Sequence, residues 1–439
     1  MSYAIIGTGV AAISAIQAIR SVDSDNELTV IGADPHGYYS RPGLAYYLSG
    51  EIPQKELFPF DKHYLKRHRV QFLQAQVTQI LPQEQRVVIA GNDSCRYDRL
   101  LLAVGAASMP LRIPGSELHG VVKIDDLEDA CQMVSLAERA GEAVVIGGGV
   151  TALELVEGLV ARKTRVHYFL RGDRYWSSVL DDEESQIILK RLKDEGVRIH
   201  IYTEAAEILG KQGKVIGVRT TDGETVPAKI VAYAIGIRPR LALAQAAGLQ
   251  TDRGVLADER LQTSDPNIYA AGDVAQVFDP MSGRAILDSL WHPAREQGRV
   301  AGLNMAGKAS VYRKSAPFNV TRLAGLTTTI IGMVGGGKDD DLVGIARGDS
   351  ETWRQLPNAI AAQSGFDTNH LRLMIGEMKI LGAVVMGDQT LSTPLQKLIE
   401  AAADISAIRT QLLAPKAPIA DIIADFWTDW SAQHEAYQH

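Results

Sequence analysis

Cysteine is scarce. Cys95 and Cys131 are the only two in 439 residues, and they are too far apart for a Cys-x-x-Cys redox pair or a metal knuckle. Both are therefore read as reduced structural thiols, no metal site is expected, and the chain has no ligand set for an iron-sulfur cluster of its own. No apolar run is long enough to span a bilayer. The first apolar stretch begins almost at Met1, which leaves no room for a signal peptide ahead of it, so a cytoplasmic protein is expected. Positive charge is not in excess either: the net charge is −7 and the pI about 5.8, which argues against nucleic acid as the main partner. The length favours two or three domains with a large core.

Against these gaps stand two glycine-rich turns. Gly7-Thr8-Gly9-Val10-Ala11-Ala12 follows the apolar run Ala4-Ile5-Ile6 and opens a stretch with Ile13, Ile16, Ala18 and Ile19 at helical spacing. Gly7 permits the tight bend, Gly9 lets the backbone approach a pyrophosphate, and Ala12 keeps helix and strand close. The helix N-terminus then receives the phosphate charge. A second strand, Leu28-Thr29-Val30-Ile31, leads to Asp34, whose carboxylate is placed to accept hydrogen bonds from ribose hydroxyls.

Gly147-Gly148-Gly149-Val150-Thr151-Ala152 repeats the arrangement after Ala143-Val144-Val145-Ile146, with Leu155, Val156 and Leu159 marking its helix. Its next strand, Val166 to Leu170, ends without an acid and is followed by Arg171 and Arg174. Either these arginines are solvated surface residues or they pair with a 2′-phosphate; the second reading favours NADP(H) over NAD(H). A third signature, Ala270-Ala271-Gly272-Asp273, ends a strand on a carboxylate suited to a polyol hydroxyl such as the ribityl chain of FAD, with Gly272 leaving space. A helix cap at Asp273 is the alternative.

In this company the chain resembles the two-dinucleotide flavoproteins of the pyridine nucleotide-disulfide oxidoreductase superfamily. Tyr97 to Gly105, with Ala103 and Gly105 at its end, looks like the strand closing the first half of an FAD domain, and Val231 to Pro239, containing Gly236, like the return from an NAD(P) domain. The resemblance implies an α/β fold with two Rossmann-like domains: FAD on 1–108 and 240–310, NAD(P) on 109–239, and a small C-terminal α+β domain on 311–439. Tyr38 to Tyr47 is similar to the matching segment of rubredoxin reductases and of the flavin portion of NAD(P)H nitrite reductases, with Pro42 where coenzyme A disulfide reductases carry a cysteine. No thiol relay is available, so electrons are expected to leave directly from the flavin.

By the same resemblance Glu154 orients the nicotinamide, Arg41 neutralises FAD phosphate or contacts the ring, and Trp291 or His292, at the start of the last FAD-domain helix, caps the ring. A core aromatic and a satisfied histidine are equally open for that last pair. The implied activity is an FAD-dependent NAD(P)H oxidoreductase passing electrons to a small carrier such as rubredoxin or another iron-sulfur protein. The flavin subunit of a nitrite reductase, an NAD(P)H oxidase or quinone reductase, and a non-enzymatic FAD-binding redox sensor or scaffold are the alternatives. Alternating apolar residues over Leu371 to Met374 and Ile380 to Met386 read as antiparallel strands. Ile419, Ile422, Ile423, Phe426, Trp427 and Trp430 have helical spacing and read as a helix packed on the body, with partner docking or a homodimer contact as the other roles for it.

Overall fold

Uninterrupted apolar strands need cover on both faces, and the chain supplies it with two parallel sheets flanked by helices. The computed structural model describes residues 1–91, 93–279, 283–334, 369–415 and 417–434. The first five-stranded sheet has the spatial order Ile268–Ala270, Arg99–Leu102, Ser2–Ile6, Glu27–Gly32, Gln71–Gln74, every pair parallel. Its edge strand at 268–270 thus returns from far along the chain. The second has the order Arg198–His200, Arg165–Phe169, Glu142–Ile146, Ile230–Tyr233, Val121–Val122, again all parallel. Each glycine turn leaves the central strand of its own sheet, where the crevice of an open α/β sheet forms.

Helix packing is set by missing side chains. Helix Trp291–Met305 lies on helix Val10–Val22, and a Cβ added at Gly298 would stand 2.1 Å from the Ala11 carbonyl oxygen. Helix Gly43–Ser49 meets helix Val150–Ala161 in the same way, because a Cβ at Gly158 would stand 2.4 Å from Cγ of Leu48. Arg162 then donates to the Leu48 and Tyr47 carbonyls at 2.6 and 3.1 Å, satisfying the open C-terminus of helix Gly43–Ser49.

The C-terminal part is a four-stranded antiparallel sheet ordered Phe318–Leu323, Leu326–Gly332, Ile380–Met386, His370–Ile375. The strands expected at 371–374 and 380–386 are present, and two further strands precede them. Helix Ser392–Glu400 and helix Ile419–Gln433 cover one side, with Leu395, Leu398 and Ile423 buried and Trp427 and Trp430 packed against that core. No helix among the described residues is long and apolar enough to cross a membrane.

Candidate functional site

At the first turn Gly7 has φ +118°, and a Cβ there would sit 2.1 Å from the Ala103 carbonyl oxygen. Only glycine fits this bend. Gly9 caps helix Val10–Val22 with nothing within 4 Å of a Cβ built on it, so the free amides of the helix N-terminus face open space suited to an anion. Ala11 and Ala12 are buried behind the turn and serve its packing. Asp34 follows the next strand; its Oδ1 accepts from the His36 N–H at 2.9 Å and its Oδ2 lies 3.5 Å from Arg41 Nη2. Arg41 also lies over the Tyr39 ring, 5.2 Å from its centroid, and donates to the Asp125 carbonyl. That carbonyl belongs to the segment just after strand Val121–Val122 of the second sheet, so Arg41 bridges the two halves of the cleft.

The second turn copies the first. Gly147 has φ +145°, and a Cβ there would meet the Ala234 carbonyl oxygen at 2.3 Å; Gly149 caps its helix and faces open space. Val150 and Ala152 are buried, and Thr151 and Ala152 line the cleft. Beyond strand 165–169, Leu170 is buried and Arg171 is exposed on the cleft wall. Arg174 also lines the wall, but it is held by Asp182 at 2.6 Å and Asp173 at 3.2 Å. Of the two arginines, Arg171 is thus the one without a carboxylate partner among the described residues.

Two short crossing strands, Ala106–Ser108 and Ile237–Pro239, pair antiparallel between the sheets. They follow Gly105 and Gly236, which have φ +65° and +118°. Beneath them Asp125 accepts from Ser108 and from Lys123 Nζ at 2.8 Å. Burial alone would raise its pKa, yet Lys123 and Ser108 hold it below the usual carboxylate range. At the far side Gly272, φ +78°, donates its N–H to Gln297 Oε1 at 2.8 Å and turns the chain so that Asp273 lines the cleft.

One cleft of about 1890 Å³ collects these features. That exceeds the roughly 300–1,000 Å³ of a pocket for a single drug-sized ligand and leaves room for two dinucleotides. Gly7, Gly9, Val10, Asp34, Arg41, Pro42, Ala103 and Gly105 line it from the first unit, and Gly147, Gly149, Thr151, Arg171, Arg174 and Gly236 from the second; Asp273 and Trp291 complete it. Glu154 is half-buried one turn further along its helix and His292 is exposed, and neither is part of the lining. Trp291, the first residue of helix Trp291–Met305, lines the cleft, whereas His292 next to it does not. Trp176, Ser177, Ser178 and Arg240 also line the cleft and escaped the sequence reading, because no glycine or strand signal marks them. Cys95 and Cys131 are free thiols outside the lining.

The cradles fit FAD and a nicotinamide nucleotide: two glycine bends that a Cβ would close, each before a helix N-terminus, with Asp34 and Asp273 on the lining of the same cleft. The family model "Pyridine nucleotide-disulphide oxidoreductase" matches residues 1–298. The chain belongs to the pyridine nucleotide-disulphide oxidoreductase family. Among the relatives of this chain, "Nitrite reductase [NAD(P)H]" of Bacillus subtilis is 28% identical over 405 residues, 92% of this chain and 47% of that protein. The chain therefore spans about half the length of that relative. The "Biphenyl dioxygenase system ferredoxin--NAD(+) reductase component" of Paraburkholderia xenovorans is 30% identical over 358 residues, 81% of this chain and 86% of that one. The reductase chain of a covalent putidaredoxin reductase-putidaredoxin complex shares the fold, with a TM-score of 0.82 at 23% identity, covering 97% of this chain and 98% of that one.

Proposed function

We propose that the chain is an FAD-dependent NAD(P)H oxidoreductase that takes a hydride from the nicotinamide nucleotide and hands electrons singly to a small redox protein of the iron-sulfur class. The single observation that carries this reading is the shared cleft: both glycine turns open into it, and among the described residues no thiol lines it. FAD, when bound, supplies the conversion between two-electron and one-electron chemistry. The protein's task is then positioning.

In this reading residues 1–108 and 240–310 hold FAD, 109–239 hold the nicotinamide nucleotide, and 311–439 form the C-terminal domain. The amides after Gly9 and Gly149 receive the two pyrophosphates, Asp34 accepts from a ribose, Asp273 accepts from the ribityl hydroxyls, and Arg41 balances phosphate charge. Glu154 helps to orient the nicotinamide from behind the turn. Trp291 walls the cleft, and the positive end of its helix favours negative charge in front of it. Leu170 in place of an acid, and Arg171, which has no carboxylate partner among the described residues, support NADP(H) over NAD(H). The names of ferredoxin reductase relatives support a small iron-sulfur carrier as acceptor.

The nitrite reductase relative, matched over 92% of this chain but only 47% of its own length, favours a second reading, in which the chain is the electron-donating portion of a nitrite-reducing assembly. Steady-state assays with NADPH or NADH, and with rubredoxin, a plant-type ferredoxin or a sirohaem nitrite reductase domain as acceptor, test both. Rapid reduction of either small carrier is expected. Turnover with the sirohaem domain alone supports the second reading, and none with any acceptor contradicts both.

A further inference from the structure

Residues 171–181 run from the end of strand Arg165–Phe169 to helix Asp182–Asp194 and form one wall of the cleft through Arg171, Arg174, Trp176, Ser177 and Ser178. At its middle Trp176 has φ +49°, a left-handed conformation that is costly for a side chain bearing a Cβ and persists only where the surroundings impose it. One such constraint is visible: the Trp176 N–H donates to the Gly148 carbonyl at 3.0 Å. The wall is thereby bonded to the second glycine turn itself.

Its other end is gripped from the C-terminal sheet. Arg372, on strand His370–Ile375, donates from Nη2 to the Val179 carbonyl at 2.8 Å. Its Nε and Nη2 also close on the two oxygens of Glu184 at 2.9 and 3.0 Å, and its Nη1 donates to the Val334 carbonyl at 3.1 Å. Glu184 is fully buried and belongs to a capping box, in which Asp181 N–H donates to Glu184 Oε2 at 3.0 Å and Glu184 N–H to Asp181 Oδ1 at 2.9 Å. His370 Nε2 lies 3.5 Å from Glu184 Oε1 and its Nδ1 3.7 Å from Glu183. Asp181, Glu184 and His370 offer atoms within 4.8 Å of one another, a grouping a cation would suit, but the Arg372 guanidinium already takes both Glu184 oxygens. The cluster is an ion-pair anchor.

We propose that Arg372 is a positioning residue for the nicotinamide nucleotide: from the C-terminal sheet it holds the 171–181 wall, and through Trp176 the second glycine turn, in the shape that receives the ligand. A wall ordered in advance costs less to immobilise when the nucleotide binds, and a bidentate guanidinium on a buried carboxylate fixes direction as well as charge. The inference rests on the reading of the second turn as the nicotinamide site. It adds that affinity there depends on a residue of the C-terminal sheet.

The test uses the full chain loaded with FAD. Arg372→Met, the pair Arg372→Met with Glu184→Gln, which leaves no bare charge buried, and Arg372→Lys are compared with wild type by limited trypsin digestion and by calorimetric titration with NADP⁺ and NAD⁺. In the paired variant new cuts are expected after Arg171 and Arg174, with digestion elsewhere unchanged. The Kd for the preferred nucleotide should rise about tenfold at unchanged FAD per chain, and Arg372→Lys should recover part of both effects. A paired variant whose cutting and Kd stay within about twofold of wild type overturns the proposal, as do new cuts without loss of affinity or loss of FAD together with the nucleotide. A wild-type chain that binds neither nucleotide overturns instead the reading of the second turn.

Discussion

Arg171 and Arg174 stand three positions apart in the sequence and look equivalent there, yet they differ in the folded chain. Asp182, the first residue of the following helix, folds back on Arg174 at 2.6 Å, while Arg171 stays exposed on the cleft wall. Partners brought close by a loop cannot be read from spacing, so the pair could not be ranked beforehand. The glycines were a different matter, because a backbone at φ +118° beside a carbonyl demands one residue type and writes itself into the sequence. His292 lay beyond that logic: which of two neighbours at a helix start faces the cleft depends on helix phase. A charge-assisted bond of about 1.5–3 kcal/mol to a 2′-phosphate leads to a definite expectation for Arg171→Ala. The KM for NADPH should rise about ten- to a hundredfold while that for NADH moves less than about twofold; equal losses with both nucleotides would remove Arg171 from phosphate recognition.

Strands and helices flanking the two turns were legible because hydrophobic period and glycine punctuation agree there. Less legible were Phe318–Leu323 and Leu326–Gly332, whose threonines and asparagine blur the alternation although Asn319, Thr321, Thr328 and Thr329 are all buried. The turn between these strands reaches both nucleotide units. Arg322 forms a bidentate pair with Glu51 just past helix Gly43–Ser49, Arg191 donates to the Ala324 carbonyl at 2.7 Å, and the Gly325 N–H donates to Glu157 at 3.0 Å. Burial raises the Glu157 carboxyl to about 7, against the pull of Arg322 and the Gly325 N–H and with the help of Glu195 and Glu51. Between the ordinary glutamate range and about pH 7 the folded chain therefore binds this proton more tightly than the unfolded one. Its contribution to stability is full at low pH and is lost as pH rises through about 7. Glu157→Gln keeps an acceptor for Gly325 and should flatten that fall, gaining up to about 3 kcal/mol at pH 8 and little at pH 5. Thermal unfolding at both pH values measures it, and an equal change at the two would refute the titration.

Across the whole molecule the C-terminal sheet is tied to helix Gly43–Ser49 through Arg322 and Glu51 and to the wall of the second turn through Arg372 and Glu184. Through these two ion pairs it forms a brace between the two units. That brace was invisible in the sequence, since its arginines meet carboxylates 271 and 188 positions away. The overall plan was visible, because two strand-turn-helix units and a returning Ala-Gly-Asp strand follow one another in chain order. The proposed function requires two dinucleotides to meet in a single cleft that, among the described residues, no thiol lines. Titration of the purified yellow chain with NADPH under argon tests this most directly. Loss of the flavin absorbance after about one equivalent of NADPH per FAD is the predicted result; a chain that carries FAD yet stays fully yellow with excess NADPH and NADH contradicts it.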